Sequence, residues 1–134
     1  NPILHEEVFG PFSVVVICND YAEMKRVAEV MEGQLTSTII ATTNDVQANQ
    51  DIIDVVSSKC GRMIMNGVPT GVEVCLAMQH GGPFPASTDS RFTSVGADAI
   101  KRFARPISFQ NFPDQLLPEE LKSENPLLIN RIVE

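Results

Sequence analysis

Basic residues are scarce in this sequence: ten Lys plus Arg stand against seventeen Asp plus Glu, for a net charge of −7. A nucleic-acid or anionic-membrane partner needs a basic face to displace counterions, so the balance argues against both. Three cysteines form no even disulfide framework, which favours a reducing, cytoplasmic setting. The two histidines, His5 and His80, lie far apart and no Cys-x-x-Cys occurs, so no metal-ligand pattern is present. Gly-x-Gly-x-x-Gly and Walker-type glycine loops are missing as well, which leaves no complete phosphate cradle. The longest uncharged apolar run, Phe12 to Cys18, is far too short to span a bilayer, and no signal-peptide pattern opens the chain. There is also no initiator methionine. The start at Asn1-Pro2-Ile3-Leu4 leaves open both processing and a cut from a larger protein.

What is present has a globular composition: 134 residues, 43% hydrophobic and 20% charged. A chain of this length can bury a sizeable core. Eight Gly and nine Pro are close to average usage and exclude a collagen-like or linker-like chain.

The first half reads as an α/β layer. Ser13 to Cys18 is a β-branched run without charge, the pattern of a strand buried on both faces of a parallel sheet. Asp20 with Glu23 makes a capping box, and Met24, Val27, Ala28, Met31 and Leu35 follow at helical spacing. This predicts a helix over Tyr21 to Glu32, stopped by Gly33. Thr36 to Thr42 reads as a second strand, and Asn44-Asp45 supplies N-cap candidates for a second helix. Ile52, Ile53, Val56 and Cys60 share one stripe of that helix, which Gly61 would end. Arg62 to Met65 is then a third, short strand. Strand, helix, strand, helix, strand with brief connections is the mark of parallel crossovers. A three-stranded sheet would expose unpaired edges unless something covers them, which supports the idea of a larger parent.

The second half is less regular. Gly67 to Thr93 is a long loop of the kind that is functional when ordered. Val95 to Phe103 predicts a short helix, and Arg105 to Phe109 a strand. Pro118–Ser123 and Pro126–Val133 form a short helical tail.

Local chemistry in the chain is sparse. Cys18 and Cys60 read as small core residues, and Cys75 has no His or Lys nearby in sequence to lower its pKa. None looks like a nucleophile. The stretch Lys101-Arg102-Phe103-Ala104-Arg105 reads as cations at a helix C-terminus. His5-Glu6-Glu7-Val8-Phe9-Gly10-Pro11 is a solvated acidic loop on its composition alone. A carboxylate there could also accept from both vicinal hydroxyls of a ribose, with an aromatic two residues on beside a flat ring.

Glu6-Glu7-Val8-Phe9-Gly10-Pro11 resembles the Glu-Glu-x-Phe-Gly-Pro signature of the aldehyde dehydrogenase superfamily. The order of strands and helices after it is similar too, and the resemblance runs over essentially the whole chain, as the C-terminal quarter of the family's subunit. Met65 to Val74, Met78 to Ala86 and Thr88 to Gly96 resemble the branch that acts on 2,5-dioxovalerate (α-ketoglutarate semialdehyde) or, with NADP, on fatty aldehydes.

The resemblance implies a division into the C-terminal part of the catalytic domain, 1–104, and an oligomerisation strand with tail, 105–134. It gives Glu7 the nicotinamide-side ribose of the cofactor, NADP with NAD as the alternative, and gives Phe9 the positioning of the nicotinamide ring. The loop from Gly67 to Gln79 corresponds to the mouth of the aldehyde tunnel, with Gly71, Val72 and His80 as substrate-loop residues. Gln79-His80-Gly81-Gly82 departs there from the family's common aromatic-Gly-Gly. The strand Arg105 to Phe109 would add to a neighbouring subunit, making a homo-oligomer. The family's nucleophilic Cys, general-base Glu and oxyanion Asn all precede this segment, so these residues alone are expected to be inactive. The other reading left open is a non-catalytic assembly module built on Arg105 to Phe109.

Overall fold

A computed structural model describes residues 7–132. It forms two compact units, one ending at Phe103 and the other beginning at Ala104.

Within the first unit, residues 7–20 carry no regular element and lead into a helix, α1, Tyr21–Val30. The Asp20 side chain accepts from the Glu23 backbone N–H at 2.8 Å. Glu23 reaches back one residue further than the capping box predicts, accepting from Asn19 N at 2.7 Å and Asn19 Nδ2 at 2.8 Å. The helix stops at Val30 and not at Glu32, with Met31 already extended. The early exit lets Gly33 pass beneath the backbone of Pro83, where a Cβ on Gly33 would lie 2.1 Å from the Pro83 carbonyl oxygen.

Strand β1, Gln34–Ile39, lies earlier than the predicted Thr36 to Thr42. Thr42 is taken by the next helix instead. Its Oγ1 accepts from Asp45 N at 3.2 Å while the Asp45 carboxylate accepts from Thr42 N at 2.9 Å, a reciprocal capping box. The second helix is in fact two short ones, α2 (Thr43–Ala48) and α3 (Gln50–Ser58), broken at Asn49. Strand β2, Cys60–Met65, then begins two residues before the predicted start. Cys60 and Gly61 are therefore strand residues rather than the end of a helix. The two strands pair in parallel, Gln34 opposite Cys60 through Ile39 opposite Met65.

Asn66 closes the far end of this ladder. Its backbone N–H donates to Ile39 O at 2.8 Å. Its side chain then acts as one more strand residue: Oδ1 accepts from Ala41 N at 2.9 Å and Nδ2 donates to Ala41 O at 2.8 Å. Its φ of 52° is a left-handed value that Asn tolerates better than most residues. Asn66→Ala removes both side-chain bonds and keeps the strained φ. It is expected to lower stability by about 1–3 kcal/mol, read as a shift in the urea midpoint.

The α/β class stands, with a two-stranded parallel sheet among the described residues where three strands were predicted. Ser13 to Cys18 has no ladder, and Ile17 is 88% exposed. An apolar, β-branched run becomes a strand only beside a partner, and no described segment pairs with it. Arg105 to Phe109 likewise lacks a ladder.

Helices α1 and α3 pack together, and Ala28 on the first and Ile52 on the second are the two buried hydrophobic side chains among the described residues. Outside that contact Asp51 joins them, accepting from Tyr21 Oη and from Lys25 Nζ, the latter at 2.7 Å. The Lys25 ammonium and the Tyr21 hydroxyl hold the Asp51 carboxyl down to about 2. The predicted helix Val95 to Phe103 is a 3-10 helix, Ala97–Phe103, with Lys101 and Arg102 in its last turn.

In the second unit Phe109 and Phe112 meet edge to face at 5.3 Å. Two 3-10 turns follow, Asp114–Leu116 and Glu119–Leu121. The predicted helix Pro126–Val133 is absent over its described residues, where Leu128 takes a φ of 52° that no helix contains; Val133 lies outside them.

Two separately folded bodies of these lengths would expose roughly 8,100 Å² together. This chain exposes 10742 Å². Val15, Ile17, Leu76, Phe84 and Phe103 are all largely uncovered. No helix of the described residues is long and apolar enough to cross a membrane.

Candidate functional site

The loop that leaves the C-terminal end of β2 is irregular from Gly67 to Thr93 apart from isolated turns. Parallel strands present their C-terminal ends to ligands, so a long ordered loop at that edge is a natural site. Its ordering comes from a few contacts. Arg62 Nη1 donates to Gly71 O at 3.1 Å and approaches Met78 Sδ at 3.6 Å. Cys75 O accepts from Met78 N at 3.3 Å and from Ala97 N at 3.4 Å.

His80 is fixed by its backbone. Its N–H donates to Thr93 Oγ1 at 2.8 Å, and its carbonyl accepts from Ser94 N at 2.9 Å and Ser94 Oγ at 2.8 Å. Thr93 is 4% exposed and its hydroxyl donates to Val95 O at 2.6 Å. The imidazole Nδ1 of His80 is buried without a partner. Beside it opens a cavity of about 380 Å³ that Leu35, Gly81, Ser87, Ser94 and Arg102 also line. A second cavity of about 150 Å³ lies by Met78, Gln79, Arg91, Asp98 and Lys101. At its rim Arg91 is bidentate to Asp89, and that guanidinium draws the Asp89 carboxyl down to about 2.

The predicted site residues are therefore split. Gly71 belongs with Arg62 and Met78, whereas His80 belongs with Thr93 and Ser94; among the described residues no hydrogen bond joins the two. Val72 is exposed on the crest between Gly71 and Met78. Glu7 is exposed and free of partners among the described residues, and Phe9 is 91% exposed. Gly10, at a φ of 144°, opens the turn after them. Glu6 and His5 of the same motif lie outside the described residues. Arg62 and Arg102 had no sequence signal as site residues, because only the fold brings them to the loop; Thr93 ends that loop, but its bond to His80 depends on the fold.

The arrangement offers polar groups and two cavities beside the loop. All three cysteines are free and half-buried, and no base hydrogen-bonds to any of them. No cluster of metal-ligating side chains occurs among the described residues. Two parallel strands joined through helices, with a long ordered loop at their C-terminal edge, place the described residues in the α/β class.

Comparison with known proteins makes the class specific. Alpha-ketoglutaric semialdehyde dehydrogenase 2 of Azospirillum brasilense is 52% identical over 131 residues, 98% of this chain and 25% of that protein. Alpha-ketoglutaric semialdehyde dehydrogenase of Acinetobacter baylyi is 51% identical over 133 residues, 99% of this chain and 25% of its own length. The chain belongs to the aldehyde dehydrogenase family, and it spans about a quarter of the length of the curated relatives it matches. No protein-family model matches the sequence.

Proposed function

We propose that these residues supply the C-terminal quarter of an NADP-dependent aldehyde dehydrogenase that oxidises α-ketoglutarate semialdehyde to its acid. The observation that carries this reading is identity of about half the positions along 98% of the chain to a dehydrogenase of that name. The uncovered apolar surface supports it, because Val15, Ile17, Leu76 and Phe103 need cover that the described residues do not provide.

Bound NADP supplies the hydride acceptor. Glu7 and Phe9 fit one end of it: a free exposed carboxylate for two ribose hydroxyls, and an open aromatic face for the nicotinamide. The loop of Gly71, Val72 and His80 faces the aldehyde, and the nucleophile and general base come from the rest of the enzyme. Residues 1–104 complete the catalytic domain. Arg105 to Phe109, without a ladder and exposed from Arg105 to Ser108, pairs with a second subunit to form a homo-oligomer. The three free thiols suit a cytoplasmic enzyme.

A chimera tests the proposal. The matching quarter of the Azospirillum brasilense enzyme is replaced by these 134 residues, and NADPH formation is followed by absorbance with the semialdehyde as substrate. The chimera is expected to turn over and the 134-residue chain to show none. An inactive but folded chimera, or turnover by the chain alone, would overturn the reading.

A further inference from the structure

Among the described residues Arg62 is a cation without a counter-charge. It is half-buried on β2, its Nε is fully enclosed with no acceptor, and no carboxylate pairs with it among the described residues. Even Glu73, two residues beyond the carbonyl that Arg62 binds, is not its partner. A structural surface arginine ordinarily faces an acidic group. Burying one that meets only a carbonyl and a thioether costs stability, so the site needs another reason for it.

The geometry of the loop offers that reason. One nitrogen, Nη1, reaches both Gly71 O at 3.1 Å and Met78 Sδ at 3.6 Å. Residues 72–77 form an arc between those two feet, and Val72, Val74 and Leu76 stand exposed along it. Inside the arc the backbone makes its own turns, Cys75 N to Glu73 O at 3.1 Å and Met78 N to Cys75 O at 3.3 Å. What those turns do not fix is the spacing of the feet. Arg62 is the side chain that touches both.

We infer that Arg62 is a positioning residue: it clamps the two feet of the arc and so holds the apolar crest of Val72, Val74 and Leu76 in place against the aldehyde's carbon chain. This rests on the reading of the loop as aldehyde-facing. Lysine keeps the charge, but its ammonium ends a flexible stem, whereas the rigid guanidinium plane aims both hydrogens of Nη1 in fixed directions.

The test has two arms. In the 134-residue chain, hydrogen exchange of the amides from Gly71 to Met78 is compared in wild type, Arg62→Gln and Arg62→Lys. Exchange in that segment is expected to quicken about tenfold in Arg62→Gln and by less in Arg62→Lys, with β1 and β2 unchanged. In the chimera, Arg62→Gln is expected to raise the aldehyde KM roughly tenfold while kcat and the cofactor KM stay within about twofold. A merely structural role would lower the amount of active enzyme and leave KM alone. Unchanged exchange overturns the clamp; faster exchange with an unchanged aldehyde KM overturns its role in positioning. If the wild-type chimera is inactive, the proposed function fails, and the exchange arm still decides the clamp.

Discussion

Gly61→Ala is expected to be the most damaging single substitution in the first unit. A Cβ on Gly61 would lie 1.9 Å from the Gly81 carbonyl oxygen and 2.6 Å from its carbon. Both obstacles are backbone, so no side-chain rotation relieves them. The interlock is shared: a Cβ on Gly33 meets Pro83 O at 2.1 Å, and one on Gly82 meets Gln34 O at 2.4 Å. Three glycines thus let the segment 81–83 lie directly on the N-terminal ends of β1 and β2. Overpacking of a core costs about 1–3 kcal/mol when side chains can shift. Here a strand and a loop must part, so the expected loss is about 3 kcal/mol or more, a large share of a small domain's stability. Urea unfolding followed by circular dichroism measures it, and an unchanged midpoint would show that the loop does not dock this way. His80 reports the same event. Its bonds to Thr93 and Ser94 lie next to Gly81 in the chain, so its ring resonances should move in Gly61→Ala.

The largest expected effect on function is at Glu7. In the chimera, Glu7→Gln keeps the size of the side chain but replaces an acceptor-only group by one that also donates. A ribose diol offers two donors, and the amide can accept at one atom where the carboxylate accepts at two. Hydrogen bonds to charged groups contribute about 1.5–3 kcal/mol, so the cofactor KM should rise roughly tenfold to a hundredfold. Folding should be untouched, because Glu7 is exposed and has no partner among the described residues. Unchanged cofactor kinetics would remove Glu7 from the site.

The parts of this fold that could be read from the sequence are those whose causes are local. The start of α1 is written in Asp20 and Glu23, since capping is settled within one turn. The parallel pairing follows from strands separated by helices. The shift of β1 was also local but masked: Thr42 caps α2 through Asp45, yet its β-branched neighbours make it look like strand. Gly61 was misread for a different reason. As a helix stop it needs only its own backbone freedom, whereas its actual role is to admit Gly81, twenty residues away. Ser13 to Cys18 has every local property of a buried strand and lacks only a partner, which no local property can supply.

The candidate site divides along the same line. Glu7, Phe9 and the loop residues are candidates only because they sit in motifs that resemble a family, to which the chain belongs. Arg62 and Thr93 act through contacts with residues sixteen and thirteen positions away, at Met78 and His80. Nothing at positions 62 or 93 announces such a partner. The resemblance grouped Gly71 with His80 in one loop, and the structure gives them different neighbours.

The uncovered apolar surface has a consequence for how these residues behave on their own in solution. Chains that show such surface are bound by chaperones, cleaved by proteases or lost to aggregation on a timescale set by encounter. A solution of these 134 residues on their own is therefore expected to lose material faster as its concentration rises, with Val15, Ile17 and Phe103 as the points of contact.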